Sequence, residues 1–381
     1  MAIHERNAPL EPMGGEYTIR WYEDGDEAAF VDLYNIAFSG CSPEWFDWKY
    51  KQLPYADFVP VIVAEKDGEI GGFRPVLPLP ITIGDRTVMS IQLVDLMVHP
   101  DHRRQGLMTK MYDWMKFECY DDYAVTFTYA NEASQRGMLK MNDDMITYHD
   151  LGPFINYKRL QNLRALTSPA QPAVLRIGAR VANPIYRLKN RLQDRLKLID
   201  KSITVTRHDT VRPDILVEIY ESITTDQPHL KRDETLYEWR FDEPDKEFVM
   251  YSSSRNGVRD AAIVVGVNTD SAGIKSAHLT EVLPLAGGEV LGASFSSLLA
   301  RIMKDFDDVD IISATASTIP HRVLSAYGFL RSDSVFLSPF TDGAWFLVGL
   351  LGAPEAADPE IARTLIAETG WNTTFCERLL G

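Results

Sequence analysis

Between residues 93 and 115 the chain reads LVDLMVHPDHRRQGLMTKMYDWM: an apolar run, a knot of charge, then a second apolar run. Arg103, Arg104 and the lone glycine Gly106 stand where a strand must hand over to a helix. A tight turn at that junction aims successive backbone N–H groups into one concavity. The first helical turn adds its own unpaired donors and the positive end of its dipole. Glycine lets the main chain approach an anion closely, and adjacent guanidiniums add charge and bidentate hydrogen bonds. Residues 103 to 109 can therefore hold a diphosphate largely through main-chain donors.

The elements that must position this turn follow from periodicity. YTIRWYE (17–23) alternates as a strand does, and DEAAFVDLYNIAF (26–38) repeats apolar residues at helical spacing. SPEWFDWKYKQ (42–52) opens on Ser-Pro, a helix start. The stretch from Val59 to Val98 reads as several strands joined by Asp-Gly and Gly-Asp turns. A helix from Leu107, a strand over 123–129 and a helix over 133–141 complete a unit that runs from an antiparallel meander into β-α-β-α order.

Composition narrows the function classes. The chain has 381 residues and a formal net charge of −15, so its surface as a whole repels nucleic acid and weakly favours a cationic acceptor. This length calls for two domains. Cys41, Cys119 and Cys376 lie far apart without CxxC or metal-ligand spacing, which predicts reduced thiols and no metal site. The opening MAIHERNAPLEPMGGEY lacks the apolar core of a signal peptide. No apolar run approaches the roughly 20 residues that cross a bilayer. WFLVGLLGAP reads as a buried strand or helix. A cytoplasmic protein is expected.

Residues 151–205 differ from the rest. From Lys158 to Arg207 there are twelve Lys or Arg against Asp194 and Asp200 alone, a net +10 that leaves about −25 elsewhere. NPIYRLKNRLQDRLKLIDK has apolar residues three and four apart, as in an amphipathic helix. Beyond this connector the chain begins again. DETLYEWRFDEP echoes SPEWFDWKYKQLP, and a constant offset of 186 sets Asp95 against Glu281, Gly106 against Gly292, and YAVTFTYANEAS against the region of VDIISATASTIP. One offset over some fifty residues reads as a divergent internal duplication. The predicted organisation is a first unit (1–150), a basic helical connector (151–205), a degenerate second unit (206–345) and a C-terminal strand or helix tail (346–381).

The motif resembles the acyl-coenzyme A loop of the GNAT superfamily, the Gcn5-related N-acetyltransferases, written [Q/R]-x-x-G-x-[G/A] after a strand and V-x-P. Val98-His99-Pro100 and Arg103-Arg104-Gln105-Gly106-Leu107-Met108 supply it, with Met108 where Gly or Ala is usual. NEASQRGMLKMN resembles a second signature: Asn131 and Ser134 match, and Asn142 replaces a glycine. The resemblance implies an α+β (mixed α/β) fold of two GNAT-like domains. Each would have a mixed, mostly antiparallel sheet flanked by helices, and a helical connector would join them.

It also implies acetyl-CoA, or another acyl-CoA, as co-substrate. Leu96, Met97 and Val98 would bond the pantetheine arm through their backbones, and Arg103 to Thr109 would hold the diphosphate. Asn131 and Ser134 would lie beside the pantetheine. The reaction would be direct attack of a primary amine on the thioester, the amine belonging to an amino sugar, an aminoglycoside-like compound or a peptide. Asp95 is the first candidate for general base, followed by Glu132 and Tyr129. The tyrosine that many relatives use as general acid has no counterpart, since Met138 lies near its place. In the second unit Glu289, Val290 and Leu291 replace Arg103, Arg104 and Gln105, so that copy is not expected to bind coenzyme A.

The bland readings are an exposed basic turn for HRRQG, a structural carboxylate for Asp95 and core anchors for Trp45, Trp48 and Trp239. The alternative function is a non-catalytic acyl-CoA-binding or scaffold protein. A third reading is a membrane-associated acyltransferase acting through the connector, although membrane contact is not expected. The oligomeric state, monomer or homodimer, is left open.

Overall fold

The computed structural model describes residues 17–38, 40–166, 173–195, 200–270, 273–315, 318–338, 341, 343–353, 356, 358–367 and 370–378. The polar leader and short parts of the connector and tail lie outside these residues. The first unit opens with β1 (Thr18–Trp21), α1 (Glu27–Ala37) and α2 (Pro43–Phe46), which runs on as a π-helical turn over Asp47–Lys51. Then come β2 (Val61–Lys66), β3 (Glu69–Ile83), β4 (Arg86–Leu93) and β5 (Met97–Val98). The unit continues with α3 (Leu107–Cys119), β6 (Val125–Ala130), α4 (Glu132–Leu139), β7 (Thr147–Pro153) and β8 (Asn156–Leu160). A long helix, α5 (Ala173–Arg195), lies within the connector and overlaps the helical periodicity read over 183–201, whereas residues 156–160 of the expected helical connector form a strand.

The second unit repeats the plan. It holds β9 (Ile203–His208), α6 (Pro213–Ser222), β10 (His229–Leu230), α7 (Glu234–Arg240), β11 (Glu247–Arg255), β12 (Val258–Thr269) and β13 (Lys275–Leu283). After these come α8 (Gly292–Asp305), β14 (Ile311–Thr315), α9 (His321–Ala326), β15 (Leu330–Arg331), β16 (Trp345–Leu350) and α10 (Pro359–Leu365). Caps match between the copies. Ser42 caps α2 by accepting from the Trp45 N–H at 3.2 Å, and Asp233 caps α7 by accepting from the Leu236 N–H at 2.9 Å.

Two mixed sheets result. The first runs β1-β2-β3-β4-β6-β16-β7, and the second runs β9-β11-β12-β13-β14-β8-β15. Among the described residues only β4 with β6 and β13 with β14 are parallel. Their registers repeat the sequence offset residue for residue: Ser90 faces Val125 in the first sheet and Ser276 faces Ile311 in the second. The sheets also exchange strands. Asn156–Leu160, which precedes the connector helix, lies in the second sheet against β14 and β15. Trp345–Leu350, from WFLVGLLGAP, lies in the first between β6 and β7. The sheets therefore do not divide the chain at single points.

The units meet at matching tryptophans. Trp48 Nε1 donates to the Trp239 carbonyl at 2.7 Å, and Trp239 Nε1 donates back to the Trp48 carbonyl at 2.8 Å. Their rings stack with centroids 5.5 Å apart. Such reciprocity marks a local two-fold relation. One apolar cluster, including Phe73, Leu216, Leu283 and both tryptophans, runs through both units. The core-anchor reading of Trp45, Trp48 and Trp239 is the observed one: all three are buried.

Candidate functional site

The parallel strands β4 and β6 stay paired only from Ser90 with Val125 to Gln92 with Phe127. Beyond that point Met97 and Val98 turn away to pair with Phe73 and Gly72. Tyr129 and Ala130 pair with β16 on the other side. A hydrogen bond from Thr128 Oγ1 to the Leu93 carbonyl, 2.9 Å, crosses at the apex of the opening. The backbone bend falls at Asp95, whose φ of 45° is left-handed. A non-glycine residue there costs about 1–3 kcal/mol unless its surroundings hold it. Here Lys49 Nζ at 2.5 Å and the Tyr50 hydroxyl at 2.6 Å both reach Asp95 Oδ2. The π-helical turn after α2 supplies both groups. Lys49 is fully buried, with its ammonium 4.5 Å from the Trp45 ring centroid.

At the mouth of this opening lies the turn of residues 103–106. Gly71 and Gly72 of β3 let the loop come close: the His99 N–H donates to the Gly71 carbonyl at 2.9 Å, and a Cβ on Gly72 would lie 2.7 Å from the Met97 carbonyl oxygen. Arg104 and Gly106 are both left-handed, with φ of 64° and 77°. The first backbone bond of α3 runs from the Lys110 N–H to the Gly106 carbonyl. The N–H groups of residues 104 to 109 have no acceptor among the described residues, so they are available to an anion. Arg103, Arg104, Gln105 and Thr109 are exposed, whereas Leu107 is buried beneath α3. Met108 sends its methyl toward Gly137 of α4, away from the turn. This explains how a bulky residue is accommodated at the position where glycine or alanine is usual.

Tyr17 anchors the loop from the side. Its hydroxyl lies 2.7 Å from His102 Nδ1 and donates to Gln105 Oε1 at 3.0 Å. The Lys66 and Lys110 ammonium groups lie 5.8 and 5.2 Å from its ring centroid and add positive charge beside the turn. Periodicity shows Tyr17 only as a strand residue. Nothing local to its sequence marks its contact with a loop 85 residues away.

The other candidates are dispersed. Asn131 caps α4, its Oδ1 accepting from the Ser134 N–H at 2.9 Å, and is itself exposed. Glu132 is exposed and paired with Arg136 of the same helix. Tyr129 packs against Phe154 and Phe346. Burial, reinforced by the Glu377 carboxylate, holds its hydroxyl well above the usual phenol range. The segment 371–378, part of the C-terminal tail, packs against the same region: Gln92 Nε2 donates to the Glu377 carbonyl at 2.7 Å.

The corresponding turn of the second unit is closed. The Val290 and Leu291 N–H groups donate to the Gly287 carbonyl at 3.0 and 3.3 Å. Arg322 spans the turn, bonding the Glu289 carboxylate at 2.5 Å and its carbonyl at 3.0 Å, and would crowd any side chain placed on Gly292.

A cavity of about 250 Å³ opens in the second sheet, lined in part by Lys158, Arg240, Lys246, His278, Phe375 and Arg378, with no acidic residue among the described residues of its walls. Glu243 neutralises part of this charge from behind by pairing with Arg240 and Lys246. Burial lowers the pKa of Arg378, and its Nε is buried with no hydrogen-bond partner among the described residues. Burial together with Lys246, Lys158 and Arg378 pushes His278 down to about 4. Phe154 joins cavity to opening, since it touches Tyr129 on one side and carries the Arg378 guanidinium 5.5 Å from its ring centroid.

Among the described residues no cluster of His, Cys, Asp or Glu fits a metal ion, and no helix is long and apolar enough to cross a membrane. Residues 18–135 match the family profile described as "Acetyltransferase (GNAT) domain". Comparison of the sequence with curated proteins finds no match. Among solved structures, yeast (Saccharomyces cerevisiae) N-myristoyltransferase with bound myristoyl-CoA superposes with a TM-score of 0.60 at 12% identity, over 93% of this chain and 83% of that one. A GCN5-related N-acetyltransferase from Anabaena variabilis gives 0.57 at 12% identity, over 87% and 72%. A probable N-acyltransferase from Enterococcus faecalis gives 0.58 at 9% identity, over 88% and 72%. At these identities the likeness concerns fold alone. Together with the amide-lined turn and the strand opening behind it, the profile match shows that residues 18–135 are a domain of the GNAT fold.

Proposed function

We propose that this chain is an acyl-CoA-dependent N-acyltransferase, with acetyl-CoA the first donor to test, and that it transfers the acyl group to a primary amine. The observation that carries this reading is the strand opening that leads to a turn of unpaired amides in the first unit, where the second unit has a turn closed by its own carbonyl and by Arg322. The donor supplies an activated thioester carbonyl. Residues 103–109 fit its diphosphate, because the N–H groups of 104–109 are available and nothing lies within 4 Å of Gly106 on the side a Cβ would take. The edge of residues 96–98 that faces away from β3 fits the arm. Holding both reactants in this groove supplies much of the rate enhancement.

Of the three base candidates we favour Asp95, which stands at the backbone bend where the strands part. Its Oδ2 accepts from Lys49 Nζ and from the Tyr50 hydroxyl, which fixes the carboxylate at the bend, where it can take the amine proton through water. Burial raises the Tyr129 pKa and makes it a poor donor to the departing thiolate, which leaves water as the other source of that proton.

The cavity bears on the acceptor. Net charge favours a cationic acceptor, but the local field at this cavity is positive. It favours an amine that also carries a carboxylate or phosphate, such as a peptide or amino acid, over a polycationic aminoglycoside. Calorimetry with acetyl-CoA and longer acyl-CoAs, followed by thiol release against acidic, neutral and polycationic amines, tests the assignment. Turnover confined to amines that carry an anion is the expected result. Tight acyl-CoA binding with no thiol release from any amine favours the non-catalytic scaffold, the reading that the missing proton donor keeps in view.

A further inference from the structure

The connector helix α5 sits on the protein the wrong way round for an ordinary surface helix. Three of its polar residues face inward. Asn183 Oδ1 accepts from the Leu163 N–H at 2.9 Å, Asn190 Nδ2 donates to the Leu160 carbonyl at 3.0 Å, and Asp194 takes both Nη groups of Arg159 at 2.9 and 2.6 Å. Arg187 and Arg191 hold Asp307 through its carbonyl and its carboxylate. Its large apolar residues face outward: Ile177, Val181, Ile185, Leu188 and Leu192 are 50–73% exposed. At 3.6 residues per turn these five fall within an arc of about 80°. Exposed Arg180 and Arg191 border one side of that arc, and exposed Lys189 borders the other. Isolated exposed apolar residues are ordinary; five in one stripe on a single helix are not.

We propose that α5 is an interfacial anchor that seats this protein on a membrane surface bearing anionic lipids. The apolar stripe would enter the acyl boundary while the flanking cations meet the head groups. A second copy of the chain is the competing occupant, and charge argues against it. Residues 173–195 carry six Lys or Arg and one Asp, so pairing two such helices sets +5 against +5. The anchor is independent of the acyltransferase reading, because none of its residues belongs to the amide turn or the strand opening.

The test is flotation of the purified full-length protein with vesicles of phosphatidylcholine alone or mixed with phosphatidylglycerol, at low and high salt. Light scattering on the same samples reports self-association. The wild type should float with the mixed vesicles, less so at high salt, and not with phosphatidylcholine alone. Ile185→Asp combined with Leu188→Asp should lower partitioning at least about tenfold, since each change removes a buried apolar side chain. Arg180→Glu with Lys189→Glu should abolish the preference for anionic lipid. An unchanged thermal unfolding curve in each variant shows that the fold is intact, as expected for exposed positions. The proposal is overturned if the wild type fails to float with mixed vesicles at low salt, or if the Ile185/Leu188 variant floats as well as the wild type. It is also overturned if the wild type proves to be a dimer that this variant dissociates, which would assign the stripe to a second copy.

Discussion

At the scale of single residues, Gly106 carries two separable demands. Its φ of 77° suits glycine, while the space around it is open. Gly106→Ala should therefore cost a modest amount of stability, about 1 kcal/mol, and keep much of the affinity for coenzyme A. Gly106→Glu should lower that affinity at least about 100-fold, because a carboxylate then faces the diphosphate. Calorimetry on both variants separates strain from charge. Asp95→Asn should lower kcat with little change in the Kd for acyl-CoA, measured by pre-steady-state thiol release beside calorimetry. Loss of both together would mean that Asp95 only shapes the opening.

His229 gives a prediction in pH. It is buried, its Nδ1 bonds the Gln227 carbonyl, its Nε2 faces the Tyr220 hydroxyl, and burial pushes it down to about 4. A histidine depressed in the folded state is neutral there while its unfolded counterpart takes up a proton. Stability is then full above the unfolded value near 6.5 and falls as pH drops toward 4. The expected loss from this residue by pH 5 is about 2 kcal/mol. Urea unfolding at pH 7 and pH 5 measures it, and His229→Gln should flatten the dependence.

At the scale of elements, the loop was legible because its signal is local. V-x-P, two arginines and a glycine ahead of an apolar helical period fix a strand, a turn and a helix from neighbouring residues alone. The 186 offset was legible for a related reason, since the parallel registers of the two sheets differ by the same 186. What lay hidden was contact at long range. The pairing of Lys49 and Tyr50 with Asp95, and of Tyr17 with His102, depends on elements brought together by the fold. WFLVGLLGAP showed its burial but not its partners, because an apolar strand looks the same in either sheet. The amphipathic period of α5 was equally plain, although periodicity cannot say which face turns inward.

The tryptophan pair tests the element scale directly. Trp239→Phe keeps a smaller aromatic ring and removes the Nε1 donor, leaving the buried Trp48 carbonyl without it. The expected cost is about 1–3 kcal/mol. Trp48→Phe should cost the same if the relation is truly reciprocal, and chemical denaturation of both variants makes the comparison.

At the scale of the whole molecule, the exchanged strands make the two units interdependent. A fragment ending near residue 200 would hold β7 without the neighbour that separates it from β6, and β8 without a sheet. Such a fragment should be insoluble or molten when expressed alone, and mixing it with the remainder should restore coenzyme A binding that neither piece shows. Cooperative folding of either half by itself would refute this.

The same exchange has a consequence in time. β7 leaves the ribosome early, yet β16, the strand it pairs with, follows nearly two hundred residues later. At ordinary elongation rates of about 5–20 residues per second, that gap lasts roughly 10–40 s. Through that interval the nascent first sheet has a bare edge beside β6, open to wrong partners. Birth, for this chain, is the moment of greatest exposure, and slow translation or scarce chaperones should reduce its yield well before any residue of the mature fold is disturbed.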